Sequence, residues 1–541
     1  MSLWIKHFLH HYLTMRRVGP LSGGKRASAI IKAVASYGLA MTGIAICHAQ
    51  GLEKMNAQQP AVIEKADVVI IGAGAAGTAA AMAAGEKGAK VIVVEKSGIV
   101  GGAGNFAEGI FAADSRMQKR QGIRVTPDMA FNAIMDYSHW KANPYVARSF
   151  VDKSADTIDW VMSKGVEFEY IGPGTPGGWM TWHVIKGPSS GRGRVLITHF
   201  HDRLKTMDNV KIMMKTVGKS LITDKGVVTG MYAEDSKGNA IRIDANAVII
   251  ATGGFSNNKK MLKDFIGIEE IYSVASAGKD GDGLNMAWAA GAGKEGLGTL
   301  HGHRPGVPGT SLENHAVMAA GQPYLWVDRQ GRRFTNEENI IMWPHAGNAL
   351  VKAGGVMYTL YDEATREHLI NDGIEVGLGD FIPTGTRMTK LDADFASLAQ
   401  REPAYAFKAD TLAELAALIS VDPDVLQDTV EGYNQFAEAK RDRLFTKNPD
   451  YLLPVKTAPF YAIESISQML GTLGGIKIDG EMRVATEDNQ IIAGLYAAGD
   501  DAGGMYGDTY DLNVAGGTFG FALNSGRIAG ENAVDYLRKN N

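Results

Sequence analysis

The chain has 541 residues, too many for one small domain and enough for two or three packed units with ample core. Apolar residues make up 45% and charged residues 21%, a globular and not a disordered composition, and a net charge of -4 with scattered Lys and Arg argues against a nucleic-acid binder. The single cysteine, Cys47, excludes a disulfide framework, a cysteine-ligated metal or iron–sulfur centre and, with no Cys-x-x-Cys-His run, a c-type haem of the protein's own; no metal site is assigned.

Residues 1–49 read as an export signal. Arg16, Arg17, Lys25 and Arg26 give a basic region, and 27–49 is small and apolar apart from Lys32. It ends Cys47-His48-Ala49, which suits cleavage after Ala49. The arginine pair suggests the twin-arginine route, although Val18-Gly19-Pro20 fits that motif poorly. An uncleaved anchor or a lipoprotein on Cys47 are the rival readings, the latter poorly served by Ile46. A periplasmic or otherwise exported protein, with no membrane span after signal removal, is expected.

Ala66 to Ile71 is a short β-branched run and therefore a buried strand. Gly72-Ala-Gly74-Ala-Ala-Gly77 follows, then an alanine-rich helix from about Thr78 to Lys87, then a second buried strand Val91–Val94 that ends on Glu95. A glycine triplet alone is weak evidence; between a strand and a helix, with an acid closing the next strand, it is a dinucleotide fingerprint. Gly72 makes the turn, Gly74 lets a diphosphate approach the helix N-terminus, and Gly77 permits close helix–strand packing. Glu95 is placed to accept from ribose hydroxyls.

Two later segments favour FAD over NAD. Val248 to Phe255 and Gly494 to Asp500 are strands entering small-residue turns, as in flavoproteins that complete one FAD domain from late strands.

With these motifs the sequence resembles the FAD-dependent fumarate reductase/succinate dehydrogenase-like flavoproteins, which include soluble periplasmic fumarate and urocanate reductases and ketosteroid dehydrogenases. The resemblance runs from Val62 to Asn532. It rests on the Gly72 loop with Glu95, Val100-Gly-Gly-Ala-Gly-Asn105, Ala251-Thr-Gly-Gly254, Lys279-Asp-Gly-Asp-Gly283, Gly331-Arg-Arg-Phe-Thr-Asn-Glu337, Ala498-Gly-Asp500 and Ser525-Gly-Arg-Ile-Ala-Gly530. It implies an α/β fold: a Rossmann-like FAD-binding domain of the GR2 type with an inserted α+β cap. The divisions expected are 62–301 and 460–541 for the FAD domain and 302–459 for the cap. Non-covalent FAD is implied, with contacts from Gly72, Gly74, Ala76, Gly77, Glu95, Lys96, Ala103, Gly104, Glu108, Gly109, Val217, Asp282, Asp500, Thr518 and Phe519. The helical patterns Thr411–Leu418 and Pro423–Lys440 suit a cap that closes over the flavin.

The sequence departs from the fumarate reductases of that family. The arginine acid they place eight residues after the motif arginine falls on Ile341 here. Gly471-Thr-Leu-Gly-Gly475 has glycine where they have histidine, and 508–517 lacks their carboxylate-binding arginine. Without cationic forks a desolvated dicarboxylate would lose several kcal/mol, so fumarate is not the expected substrate. The catalytic candidates are Tyr506 and Tyr510, as proton donors or oxyanion holders, and His303 and Arg304, as binders of a substrate oxygen. Asp508 and Asp511 are candidates to orient the tyrosines or to bind a polar substrate; Arg332 and Arg333 read as structural, a site role for Arg333 being the alternative. The bland alternatives are aromatic packing against the flavin for the tyrosines, a surface or structural pair for His303 and Arg304, and loop capping for the aspartates.

The expected reaction is hydride exchange between flavin and the activated C=C or CH–CH bond of a small enoate or enone. With no haem or second nucleotide fold, an external electron donor such as a cytochrome is implied. Oxidation of C–OH or C–N bonds, or non-catalytic flavin carriage, are the alternatives.

Overall fold

The computed structural model describes residue 60 and residues 62–540 apart from 270, 275, 380 and 381. The signal expected at 1–49 lies outside the described residues. Among the described residues, no helix is long and apolar enough to cross a membrane.

Strand β1 (Val62–Ile71) carries four consecutive β-branched residues, Val68 to Ile71, all buried. Such a run belongs in a sheet covered on both faces, and each of the four contributes about 1.5–3 kcal/mol on burial. Helix α1 (Ala75–Glu86) begins earlier than the alanine pattern suggests, because Gly74 in extended backbone already serves as its N-cap. Strand β2 (Val91–Glu95) pairs in parallel with β1, Val68 opposite Val91.

The eight-stranded sheet runs Arg483–Ala485, Ile491–Ala497, Ala240–Ile250, β1, β2, Val210–Met214, and a hairpin of Val217–Asp224 and Val227–Glu234 joins it through Ala240–Ile250. The late strands foreseen at 248 and 494 thus lie on the same side of β1, and both run parallel to its direction. The carboxyl ends of β1, β2, Ala240–Ile250 and Ile491–Ala497 meet at one edge, where open α/β sheets bind ligands.

The last helix, Gly517–Asn540, lies along α1. A Cβ at Gly526 would stand 2.1 Å from the Ala76 carbonyl, and one at Gly530 would stand 2.5 Å from that of Ala80. Glycines four apart therefore let the two helices touch backbone to backbone.

The second sheet has six strands built around Phe460–Thr472. That strand pairs antiparallel with Val356–Asp362 and Ala406–Ala409 through its first half and with Leu300–Gly306 through its second. The expected border at 460 falls on its first residue, and the border at 302 falls inside Leu300–Gly306. Helices Leu412–Leu418 and Pro423–Glu438 cover this sheet, begun by Thr411 in a capping box with Glu414 and by Asp422 ahead of Pro423.

The motif 331–337 builds structure here. Arg333 donates to Glu337 at 2.8 and 2.7 Å and to Asp442 at 2.9 Å, all three side groups 0–3% exposed. Lys447, fully buried, donates to the Tyr324 carbonyl and the Tyr433 hydroxyl, both at 2.9 Å, and lies 3.5 Å from Glu337. Burial pulls the Lys447 ammonium down to about 8. The two acids and two bases cancel, so removing one acid leaves a buried charge uncompensated. Glu337→Ala is expected to lower unfolding free energy by about 3–5 kcal/mol, read from the urea midpoint. A loss under about 1 kcal/mol, the range of exposed ion pairs, would contradict this role.

Candidate active site

At the carboxyl edge of the larger sheet lies a cavity of about 770 Å3, within the size range of cofactor sites. The turn after β1 forms its floor. Gly72 has a φ of +103°, and a Cβ there would meet the Ala251 carbonyl at 2.3 Å. One at Gly77 would meet the Gly72 carbonyl at 1.9 Å, so both glycines are demanded by backbone contact. Gly74 differs: a Cβ there would point into open space, and α1 receives no hydrogen-bonding cap from the side group of its N-cap residue. Those free donors and the helix dipole suit a diphosphate.

Glu95 closes β2 with one carboxylate oxygen accepting from the Ala73 N–H at 2.7 Å and the other from the Ser97 N–H at 2.6 Å. It therefore fixes the turn as well as lining the cavity. Lys96 bridges Asp280 at 2.9 Å and Asp282 at 2.7 Å, and Lys279 pairs with Asp500 at 2.9 Å. Of the residues expected to hold cofactor, Gly72, Gly74, Ala76, Glu95, Lys96, Ala103, Gly104, Val217, Asp282, Asp500, Thr518 and Phe519 line this one cavity. Gly77, Glu108 and Gly109 do not. Gly77 packs beneath the turn, Glu108 faces Arg192 at 3.9 Å, and Gly109 lies in strand Gly109–Phe111, where a Cβ would meet the His183 carbonyl at 2.6 Å. The N-terminus of the last helix also reaches the cavity, through Thr518, Phe519 and Ala522.

Beside the cavity is a cluster of aromatic rings. His301, on the cavity wall, stands 4.0 Å from the ring of Tyr510 and 5.5 Å from that of Trp343. Trp343 also lies 5.9 Å from Tyr510 and 5.3 Å from His303. Tyr506 follows, its ring 5.5 Å from Tyr510. Of the four catalytic candidates, the structure brings Tyr506, Tyr510 and His303 into this cluster but places His301, not His303, on the cavity. Arg304 is turned away: its buried guanidinium donates to the Gly321 carbonyl at 2.9 Å.

Burial keeps both imidazoles uncharged at neutral pH, holding His301 well below the ordinary range and His303 at about 4. His301 Nε2, His303 Nδ1 and the Tyr506 hydroxyl are buried with no hydrogen-bond partner, which marks atoms set aside for a ligand or water. Burial raises the Tyr510 hydroxyl to about 12, while hydrogen bonds from the Thr518 hydroxyl and the Gly517 and Thr518 N–H groups favour its anion.

The FAD binding domain family matches residues 67–516. The chain belongs to that family. It is a fumarate reductase-like flavoprotein, and FAD is its cofactor. Open space at Gly74, free N–H donors on α1, the carboxylate of Glu95 and the cavity's volume fit that group. The vinyl phenol reductase of Lactiplantibacillus plantarum is 36% identical over 87% of this chain and 97% of its own length. The fumarate reductase (cytochrome) of Shewanella frigidimarina is 29% identical over 90% of this chain and 80% of its own. In fold, the flavoprotein is similar to the 3-ketosteroid delta1-dehydrogenase of Sterolibacterium denitrificans, with a TM-score of 0.70, 20% identity, and 87% of the one and 100% of the other covered.

Three residues of the flavoprotein's site escaped the sequence reading. Asp501, fully buried, accepts from the N–H groups of Thr252, Gly253 and Gly254 and so holds the turn 251–254 against the cofactor edge. Nothing in its neighbourhood distinguishes it from Asp500. His301 and Trp343 come from distant segments that only the fold brings together; the alternation of histidines at 301 and 303 was the available hint. Because Gly72 is fixed by contact, Gly72→Ala is expected to purify without flavin absorbance, while Gly432→Ala, in a helix and with nothing within 4 Å of a Cβ, keeps it. Flavin retained at wild-type occupancy in Gly72→Ala would contradict the cradle described.

Proposed function

We propose that this flavoprotein reduces the vinyl C=C bond of aryl alkenes, hydroxylated vinylarenes foremost, and not fumarate. Its class, FAD-dependent oxidoreductases acting on CH–CH groups, is that of its relatives. The observation that carries the narrower reading is the neutral aromatic cluster of His301, Tyr510 and Trp343. The two cations acting on its histidines are both tied, Lys279 to Asp500 and Arg304 to the Gly321 carbonyl. A flat, weakly polar substrate can stack there, whereas a dicarboxylate would be desolvated without forks to receive it. The relative at 36% identity bears the name vinyl phenol reductase, which accords with such a substrate.

The chemistry follows from the substrate. A vinylphenol is electron-rich and accepts hydride only after its terminal carbon gains a proton while its phenol loses one. That shift gives a quinone methide with an electrophilic benzylic carbon. Tyr510 is suited to give the proton to carbon, because the N–H groups of Gly517 and Thr518 hold the phenolate left behind. His301 Nε2, neutral and free, is suited to take the phenolic proton and return it after reduction. Bound FAD supplies the hydride. Residues 302–459 serve in this reading as a cap that keeps water from the cluster.

The FAD is held without a covalent bond, and its electrons come from a separate carrier such as a cytochrome, since the lone cysteine leaves no site for haem attachment. The basic and apolar order of residues 1–49 supports export to the periplasm. In anaerobic assays with a reduced viologen dye, 4-vinylphenol is expected to be turned over and fumarate not. Tyr510→Phe is expected to lower kcat about 10²- to 10⁴-fold with little change in KM. Preferential turnover of fumarate, or an unchanged kcat in Tyr510→Phe, would overturn the reading.

A further inference from the structure

Behind the aromatic cluster lies a second chamber, of about 10 Å3, lined by Tyr137, Ser138, Tyr506, Thr509, Asp511 and Gly517 among others. That is room for a single water, which needs two or more polar partners to be held. The chamber provides them. The Tyr506 hydroxyl and Asp511 Oδ2 are both buried and both without a partner. The other Asp511 oxygen accepts from the Asn513 N–H at 2.9 Å, so Oδ2 is the oxygen left for a proton. On the opposite wall the Tyr137 hydroxyl is 2.7 Å from His345 Nε2, and the two rings stack at 5.9 Å. His345 is only partly buried, on helix Trp343–Lys352, which begins with the ring that packs against His301 and Tyr510.

We propose that Asp511 is the proton store of the reduction, refilled from solvent through His345, Tyr137 and a water in this chamber, and emptied through Tyr506 toward Tyr510. The inference rests on the reading of Tyr510 as the donor to carbon. Each turnover adds one hydride and one net proton to the substrate. Tyr510 gives up its O–H proton, the Asp511 carboxylic acid restores it, and solvent restores Asp511. No oxidant or reductant beyond the reduced flavin is needed.

The surroundings of Asp511 suit a store. Burial is the main force on its carboxyl and pushes it up to about 6, against the N–H donors of Asn513 and Val514. The charged and titratable groups around it are Tyr506 and Tyr510 on its own loop, Tyr137 on Pro127–Tyr137, His345 beyond it, and the ion pair of Asp508 with Lys141. None of these places an unpaired cation beside it. A carboxyl raised in this way is a donor below about pH 6 and loses that capacity as pH rises through that value.

The test uses the FAD-loaded full-length protein. Infrared difference spectra between acidic and neutral buffer should show a protonated-carboxyl band that titrates near pH 6, shifts in deuterium oxide and vanishes in Asp511→Asn. In the dye-linked assay with 4-vinylphenol, Asp511→Asn should lower kcat about ten- to hundredfold and abolish the fall in kcat above pH 6, with flavin content and KM little changed. Tyr137→Phe should keep the band and raise the solvent isotope effect on kcat. Absence of the band in wild type, or variants with wild-type pH profile and isotope effect, would overturn the proposal. If Asp511→Asn does not fold, the wild-type band and Tyr137→Phe still decide. A wild-type enzyme that reduces no aryl alkene contradicts the substrate reading alone, and the infrared titration still judges the store.

Discussion

Backbone must meet backbone where the strands of the larger sheet end, and the site depends on that contact. Gly72 stands against the Ala251 carbonyl, Gly77 against the Gly72 carbonyl, and Gly526 against Ala76 on the other flank of α1. A methyl group at any of the three would collide with backbone atoms. The result is a helix whose first N–H groups are left open at the N-cap and whose axis is wedged in place from two sides. A diphosphate is the natural partner of such a helix end. Glu95, on the cavity wall, and Asp501, buried behind it, complete the frame by taking N–H groups of the two adjoining turns and so hold the cradle rigid.

The same frame aims a second helix. The last helix is held against α1 by its glycines, and its first turn delivers Thr518 and Phe519 to the cavity and its N–H groups to Tyr510. In the proposed reaction, cofactor binding and proton transfer are therefore linked through one packing contact. The charge pattern divides accordingly. Ion pairs line parts of the cavity and the interior of the smaller sheet's domain, while the histidines of the aromatic cluster are left neutral by burial. In the proposed reading, that neutrality favours a weakly polar substrate over a dicarboxylate.

Local features carried most of what the sequence revealed. β1, β2 and the glycine turn were legible because β-branched burial, turn glycines and the closing acid lie within one short stretch. The cap helices were legible from Thr411 and Pro423 at their starts. The aromatic cluster was not, because His301, Trp343 and Tyr510 come from three separated segments joined only by the fold. A histidine near residue 303 could be suspected; which of the two faces the cavity is decided by a register shift between His301 and Gly302 that no local pattern announces. Gly109, expected as a cofactor contact, lies off the cavity lining in a small three-stranded sheet. The arginine of the 331–337 motif, which the sequence already favoured as structural, pairs with Glu337 of the same motif in a charge cluster whose other two members, Asp442 and Lys447, are remote in sequence and brought in by the fold.

The most direct measurement is the flavin content of the purified full-length protein before and after acid precipitation. A yellow protein with about one FAD per molecule, released intact into the supernatant, is the expected result. A colourless protein that takes up no FAD on reconstitution, or flavin that stays with the precipitate, would contradict a non-covalent FAD seated on this cradle.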